Sequence, residues 1–175
     1  LEKSKYSENT IVFLLSDHGF HVGEKGHWQK GTLWEDGTNC LLMVRAPGIT
    51  RAGTVSTTPV SLLDLYPTIA ELTGIQAPDY LDGFSIVNIL KNPQAKRPEP
   101  AISAYNDAIA VRSDNYRLIR YGDGTMEFYD HSKDPNEWTN QANNPEYKAV
   151  LQKVLSRMPA VVEMAPKKVR GKDND

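Results

Sequence analysis

The run Ile11-Val12-Phe13-Leu14-Leu15 narrows the possible folds more than any other stretch of the chain. A continuous apolar run this short, with β-branched residues at its start, predicts a buried strand of an α/β sheet. It stops abruptly at Ser16-Asp17-His18-Gly19. In open parallel sheets, ligands sit beyond the carboxyl ends of strands, so Asp17 and His18 stand where a ligand is expected. A carboxylate beside an imidazole suits a divalent cation. Gly19 is expected to turn the chain away with a positive φ. His18, His21 and His27 fall within ten residues, close to Lys25 and Lys30. A cationic, imidazole-rich loop beside a metal is a receptor for an anion. Taken alone, an Asp-His pair after a strand is more often a cap or turn than a ligand pair, and His27 and Trp28 also read as packing residues.

Size and charge remove several classes of function. At 175 residues the chain has room for one domain, or one and a half small ones. Its 20 basic and 22 acidic residues give a net charge of −2, which gives no argument for a nucleic-acid partner. No apolar run approaches the ~20 residues needed to span a membrane. The single cysteine, Cys40, excludes an internal disulfide and reads as a buried thiol. The opening Leu1-Glu2-Lys3-Ser4-Lys5 is polar, unlike a signal peptide, and the chain has no initiator methionine. Both features lead us to expect a piece of a longer protein.

Along the chain, Thr32 to Glu35 predicts a short helix or lip over the site, with Gly37, Thr38 and Asn39 breaking the pattern. Cys40 to Arg45 predicts a second apolar strand, closed by a turn at Ala46-Pro47-Gly48. Leu62, Leu63, Leu65, Ile69 and Leu72 recur at helical spacing; Pro67 falls in a first turn and Gly74 is a natural stop. Ser85 to Leu90 predicts a short helix. The proline-rich stretch from Lys91 to Pro100 marks the best boundary, dividing the chain into 1–97, 98–164 and a charged, mobile tail, 165–175. Beyond it, Ala101–Tyr105, Ala108–Arg112, Tyr116–Tyr121 and Met126–Tyr129 predict a four-stranded antiparallel meander. Tyr147, Val150, Leu151, Val154, Leu155 and Met158 predict one amphipathic helix covering a face of that sheet.

The spacing of several short motifs resembles the type I sulfatases, most closely their iduronate-2-sulfatase-like branch. The resemblance runs from the apolar strand through Ser16 to Gly19, Gly23-Glu24, Gly26, Trp28 and Lys30. It continues through Leu41 to Gly48, Asp64-Leu65-Tyr66-Pro67-Thr68 and Leu81-Asp82-Gly83. Phe128-Tyr129-Asp130, Asp134-Pro135 and Glu137 complete it, so it covers about residues 10 to 155. Where Cys40 stands, relatives usually have proline.

The resemblance implies an alkaline-phosphatase-like α/β fold, of which residues 1–97 are the carboxyl-terminal part, followed by the small antiparallel sheet and its helix. It implies sulfate-ester hydrolysis of a sulfated sugar or glycan, with a calcium ion held partly by Asp17 and His18. Lys30 would contact the sulfate and the leaving oxygen, and His27 the substrate or sulfate. His21 would help to read the sugar, while Trp28 and Trp34 would stack on a saccharide ring or simply pack. The family nucleophile is a formylglycine made from cysteine in a Cys-X-Pro-X-Arg context. Leu41-Leu42-Met43-Val44 after Cys40 does not provide that context. The paired aspartates that complete the metal shell are also absent. The chain is therefore expected to be the carboxyl-terminal third of an exported or lysosomal enzyme, inactive without the amino-terminal part of its domain. Two other readings stay open: a phosphodiesterase or phosphonate hydrolase of the same superfamily, and a non-catalytic half that pairs with a separate chain.

Overall fold

The computed structural model describes residues 1–159. Strand β1 (Val12–Leu15) forms as expected, but pairs antiparallel with β4 (Leu42–Arg45), Val12 opposite Arg45 and Leu15 opposite Leu42. Parallel neighbours and burial were expected. Within this chain, Leu14 is 55% exposed and Met43 57% exposed, because no layer of the described residues lies over these side chains. Between the two strands lies a hairpin that the sequence did not announce. Strand β2 (His21–Val22) pairs with β3 (Trp28–Gln29) around a 3-10 turn at Glu24–Gly26. Helix α1 (Glu35–Thr38) follows. It starts where a lip was expected and runs through Gly37 and Thr38, which had been expected to break the pattern.

Helix α2 (Leu65–Thr73) continues from a 3-10 turn at Leu62–Asp64, holds Pro67 in its first turn and stops at Gly74. Asp64 is fully buried and organises this region. One carboxylate oxygen accepts from the Ser61 amide at 2.9 Å and the other from the Phe84 amide at 2.9 Å. Arg97 adds a fork of two bonds to the same carboxylate at 2.7 and 2.8 Å. Buried charges persist when paired and bonded in this way. Gly83 is needed beside it, since a Cβ there would lie 2.1 Å from the Leu63 carbonyl oxygen. Helix α3 (Val87–Lys91) then leads into the proline-rich connection.

The four-stranded meander runs in sequence order: β5 (Ala101–Tyr105), β6 (Ala108–Ser113), β7 (Tyr116–Arg120) and β8 (Met126–Asp130). Asn106 and Asp114 take positive φ in the two tight turns, a conformation these residue types tolerate. One face packs Ile109, Val111, Leu118 and Phe128 against Leu151, Val154 and Met158 of α4 (Lys148–Leu155) and the turn after it. The opposite face packs Ala108, Ala110, Ile119 and Tyr129 against Leu33 and Trp34. The sheet is thus covered twice: by its own helix, and by the segment that follows the β2–β3 hairpin. The expected tail, 165–175, lies outside the described residues.

Candidate active site

The end of β1 is set by local bonds. Ser16 Oγ donates to the His18 carbonyl at 2.6 Å. His18 Nδ1 lies 2.7 Å from the Gly19 carbonyl oxygen, which can only accept, so Nδ1 carries the proton. Nε2 is left with a free lone pair, the form of imidazole that ligates metals or accepts from an ammonium. Lys30 Nζ lies 3.1 Å from that Nε2, and Asp17 Oδ1 lies 3.6 Å from it. Lys30 and Asp17 therefore both approach the same nitrogen of His18, with the Asp17 side chain 83% exposed.

Gly19 is required for a reason other than the one expected. It does not take a positive φ; the chain simply passes too close to α1. A Cβ at Gly19 would lie 2.0 Å from the Asp36 carbonyl oxygen, while the Gly19 amide bonds the Gly37 carbonyl at 3.1 Å. Lys30 is carried by β3, where Gln29 holds a φ of 115°, rare for a side-chain-bearing residue. Such backbone stays in place only where its surroundings enforce it, and it commonly marks a functional site.

The other expected site residues are distributed differently. His27 is half-buried, with Nε2 3.5 Å from the Lys30 carbonyl and its ring edge-on to His21 at 5.1 Å. Trp28 is 67% exposed and remains available for a ring face. His21 was expected to read a sugar, but it is 0% exposed and bonds Thr32 Oγ1 at 2.7 Å. It has no surface through which to touch a substrate. Lys25 was expected to add to a cationic loop. It turns away, onto the Glu137 carbonyl and the Tyr129 hydroxyl, with its ammonium over the rings of Trp34 and Tyr129. Trp34 packs, and its indole donates to Glu127 at 2.7 Å.

Sequence reasoning missed the polar network that fixes this loop to the small sheet. Glu137 is buried, and one of its carboxylate oxygens takes Arg117 Nε at 2.6 Å and His131 Nε2 at 2.7 Å. Its other oxygen accepts from the Glu35 amide at 2.8 Å. Arg117 also donates to the Leu33 carbonyl at 3.0 Å and to the Glu35 carboxylate, which Arg112 reaches at 3.2 Å. Burial pushes the Glu35 carboxyl upward, but the guanidinium groups of Arg117 and Arg112 outweigh it and hold the group below the usual glutamate range. Glu137 appeared in the sequence as one member of a spaced motif; nothing local announced its partners.

Residues 23–164 match the family model described as N-sulphoglucosamine sulphohydrolase, C-terminal. Lys30 lies inside that match, whereas Asp17 and His18 precede it. A sulfatase of Formosa agariphila is 39% identical over 160 residues, covering 91% of this chain and 31% of that protein. An N-acetylglucosamine-6-O-sulfatase of Bacteroides thetaiotaomicron is 30% identical, covering 100% of this chain and 33% of its own length. Among solved structures, a protein in complex with its substrate D-glucosamine-2-N,6-O-disulfate aligns with a TM-score of 0.78 at 26% identity, over 85% of this chain and 33% of that one. Phosphonate monoester hydrolase of Agrobacterium radiobacter aligns with a TM-score of 0.69 at 25% identity, over 85% of this chain and 35% of that one.

The fold is that of the carboxyl-terminal region of sulfatase-type hydrolases. The chain belongs to the N-sulphoglucosamine sulphohydrolase C-terminal family, within the type I sulfatases. It spans about a third of the length of these relatives.

Proposed function

We propose that the complete protein is a sulfuric ester hydrolase acting on a sulfated sugar, and that this chain supplies part of its active site. The observation that carries the reading is the convergence of Lys30 Nζ, His18 Nε2 and Asp17 Oδ1 at the end of β1. Lys30 offers a positioned ammonium to the sulfuryl and leaving oxygens as negative charge builds on them. Asp17 and His18 offer two converging donors for a cation. Calcium takes six to eight oxygens, so these two residues hold part of its shell and the remainder of the protein the rest. A bound cation supplies charge stabilisation at the sulfate oxygens. His27 lines the same loop behind Lys30, and exposed Trp28 offers a ring face to a saccharide.

The nucleophile in this reading is a formylglycine outside these residues. The substrate is a sulfated amino sugar or uronate-containing glycan, of the kind suggested by the glucosamine-directed relatives and the iduronate-2-sulfatase-like motifs. The open face of β1 and β4, with Leu14 and Met43, is covered by the rest of the same protein. Export from the cytoplasm accords with a glycan substrate, and cell fractionation tests it.

The deciding experiment compares the complete protein with its Lys30→Ala variant on an aryl sulfate and on sulfated glucosamine. A fall in kcat of about 10²–10³ with folding unchanged is expected. Unchanged turnover overturns the assignment of Lys30. The likeness to phosphonate monoester hydrolase favours one other reading, hydrolysis of a phosphonate monoester. A kcat/KM higher on a phenyl phosphonate ester than on any sulfate ester selects it.

A further inference from the structure

We propose that His21, Glu24 and Asp36 form a second divalent-cation site, separate from Asp17 and His18, taking a first-row transition-metal dication such as Zn²⁺. Among the described residues, His21 Nδ1 is the one buried side-chain nitrogen or oxygen without a hydrogen-bond partner. Leaving such a group unsatisfied is costly, because its lost hydration is not replaced. Its nearest charged neighbour, Asp36 Oδ2, lies 3.9 Å away, beyond hydrogen-bond reach. One ligand atom from each of His21, Glu24 and Asp36 falls within 4.8 Å of the others, the spacing of donors around a single ion.

Thr32 Oγ1, 2.7 Å from Nε2, is a hydroxyl that can donate or accept; in the tautomer with the proton on Nε2, Nδ1 presents a lone pair on the side of Asp36. A lone pair facing anions is repulsive unless a cation stands between them. A hydrogen-bonded Nε2–H opposite a ligating Nδ1 is also the way proteins orient a metal-binding histidine. Glu24 is held ready as an anion: the Val22 amide donates to it at 2.7 Å and lowers its proton affinity. One imidazole nitrogen with two carboxylates is a donor set for zinc or manganese. The other gathering of this kind among the described residues, Glu35, His131 and Glu137, is different, because the Arg117 and Arg112 guanidiniums already neutralise it. An ion at His21 would bind the β2–β3 hairpin, which carries Lys30, to α1. The inference does not depend on the sulfatase reading.

The test titrates Zn²⁺ by calorimetry into the metal-stripped full chain carrying Asp17→Ala and His18→Ala, so that the first site is silent. One bound Zn²⁺ is expected, with the His21 Nδ1 resonance shifting on addition. Adding Glu24→Gln and Asp36→Asn should weaken binding by more than about tenfold. If that variant does not fold, Asp36→Asn alone serves, since its side chain is 43% exposed. No Zn²⁺ bound in the Asp17→Ala/His18→Ala chain, or affinity indifferent to the Glu24 and Asp36 changes, overturns the site. The tautomer with the proton on Nδ1, facing Asp36, would then account for the geometry.

Discussion

At the scale of single residues, Gly19 controls the site through space alone. Gly19→Ala drives a Cβ onto the Asp36 carbonyl, so backbone has to move on one side or the other. The expected cost is about 1–3 kcal/mol, read as a lower urea midpoint of the full chain. Asp17→Ala is the matching control: its side chain is solvated, and the change should stay within about 0.5 kcal/mol. The two differ because Gly19 is pressed against the backbone of α1, whereas the Asp17 side chain stands in solvent. Asp17, His18 and Lys30 were legible as neighbours because the motif spacing grouped them and a strand end fixed two of their positions. His21 and Lys25 were misread because residue type says nothing of direction. Alternation along the unrecognised β2 turns His21 inward, and the positive φ of Lys25 swings its side chain toward Tyr129.

At the scale of elements, the small sheet carries its own stability, while β1 contributes little by itself. Phe128 is fully enclosed, stacked on Tyr116 at 5.5 Å and edge-on to Tyr147 at 5.9 Å. Phe128→Ala should cost about 3–5 kcal/mol. Leu14→Ala, on the open face of β1, should cost less than about 0.5 kcal/mol in the same chain. Equal losses in thermal or urea unfolding would show that β1 is covered after all. The meander and α4 were readable because their apolar residues repeat with periods of two and of three to four, and short polar turns punctuate them. The β2–β3 hairpin has two residues per strand and α1 has four in all, too few for any period to show. Those elements exist because tertiary bonds hold them: Glu137 accepts from the first amide of α1, and Gly19 docks on its backbone.

At the scale of the whole molecule, the loop bearing Lys30 and the small sheet are held together by charge as well as by packing. Glu35, Arg112, Arg117, His131 and Glu137 join α1 to β6, β7 and the segment after β8, across more than a hundred residues of chain. Such a network makes stability depend on acidity in a calculable direction. The Glu35 carboxyl is held below its ordinary value of 4.5 in the folded chain. The unfolded chain therefore binds the proton more readily than the folded one. The stabilisation from Glu35 is fully present above 4.5 and is lost as pH falls through the lower, folded value. Acid should thus loosen the junction on which the position of Lys30 depends. Glu35→Gln removes this titration: the variant should be less stable than the parent at neutral pH, and the gap should narrow as the pH drops below 4.5. Urea midpoints of both chains across that range measure it, and a gap that stays constant would mean that Glu35 does not couple the loop to the sheet.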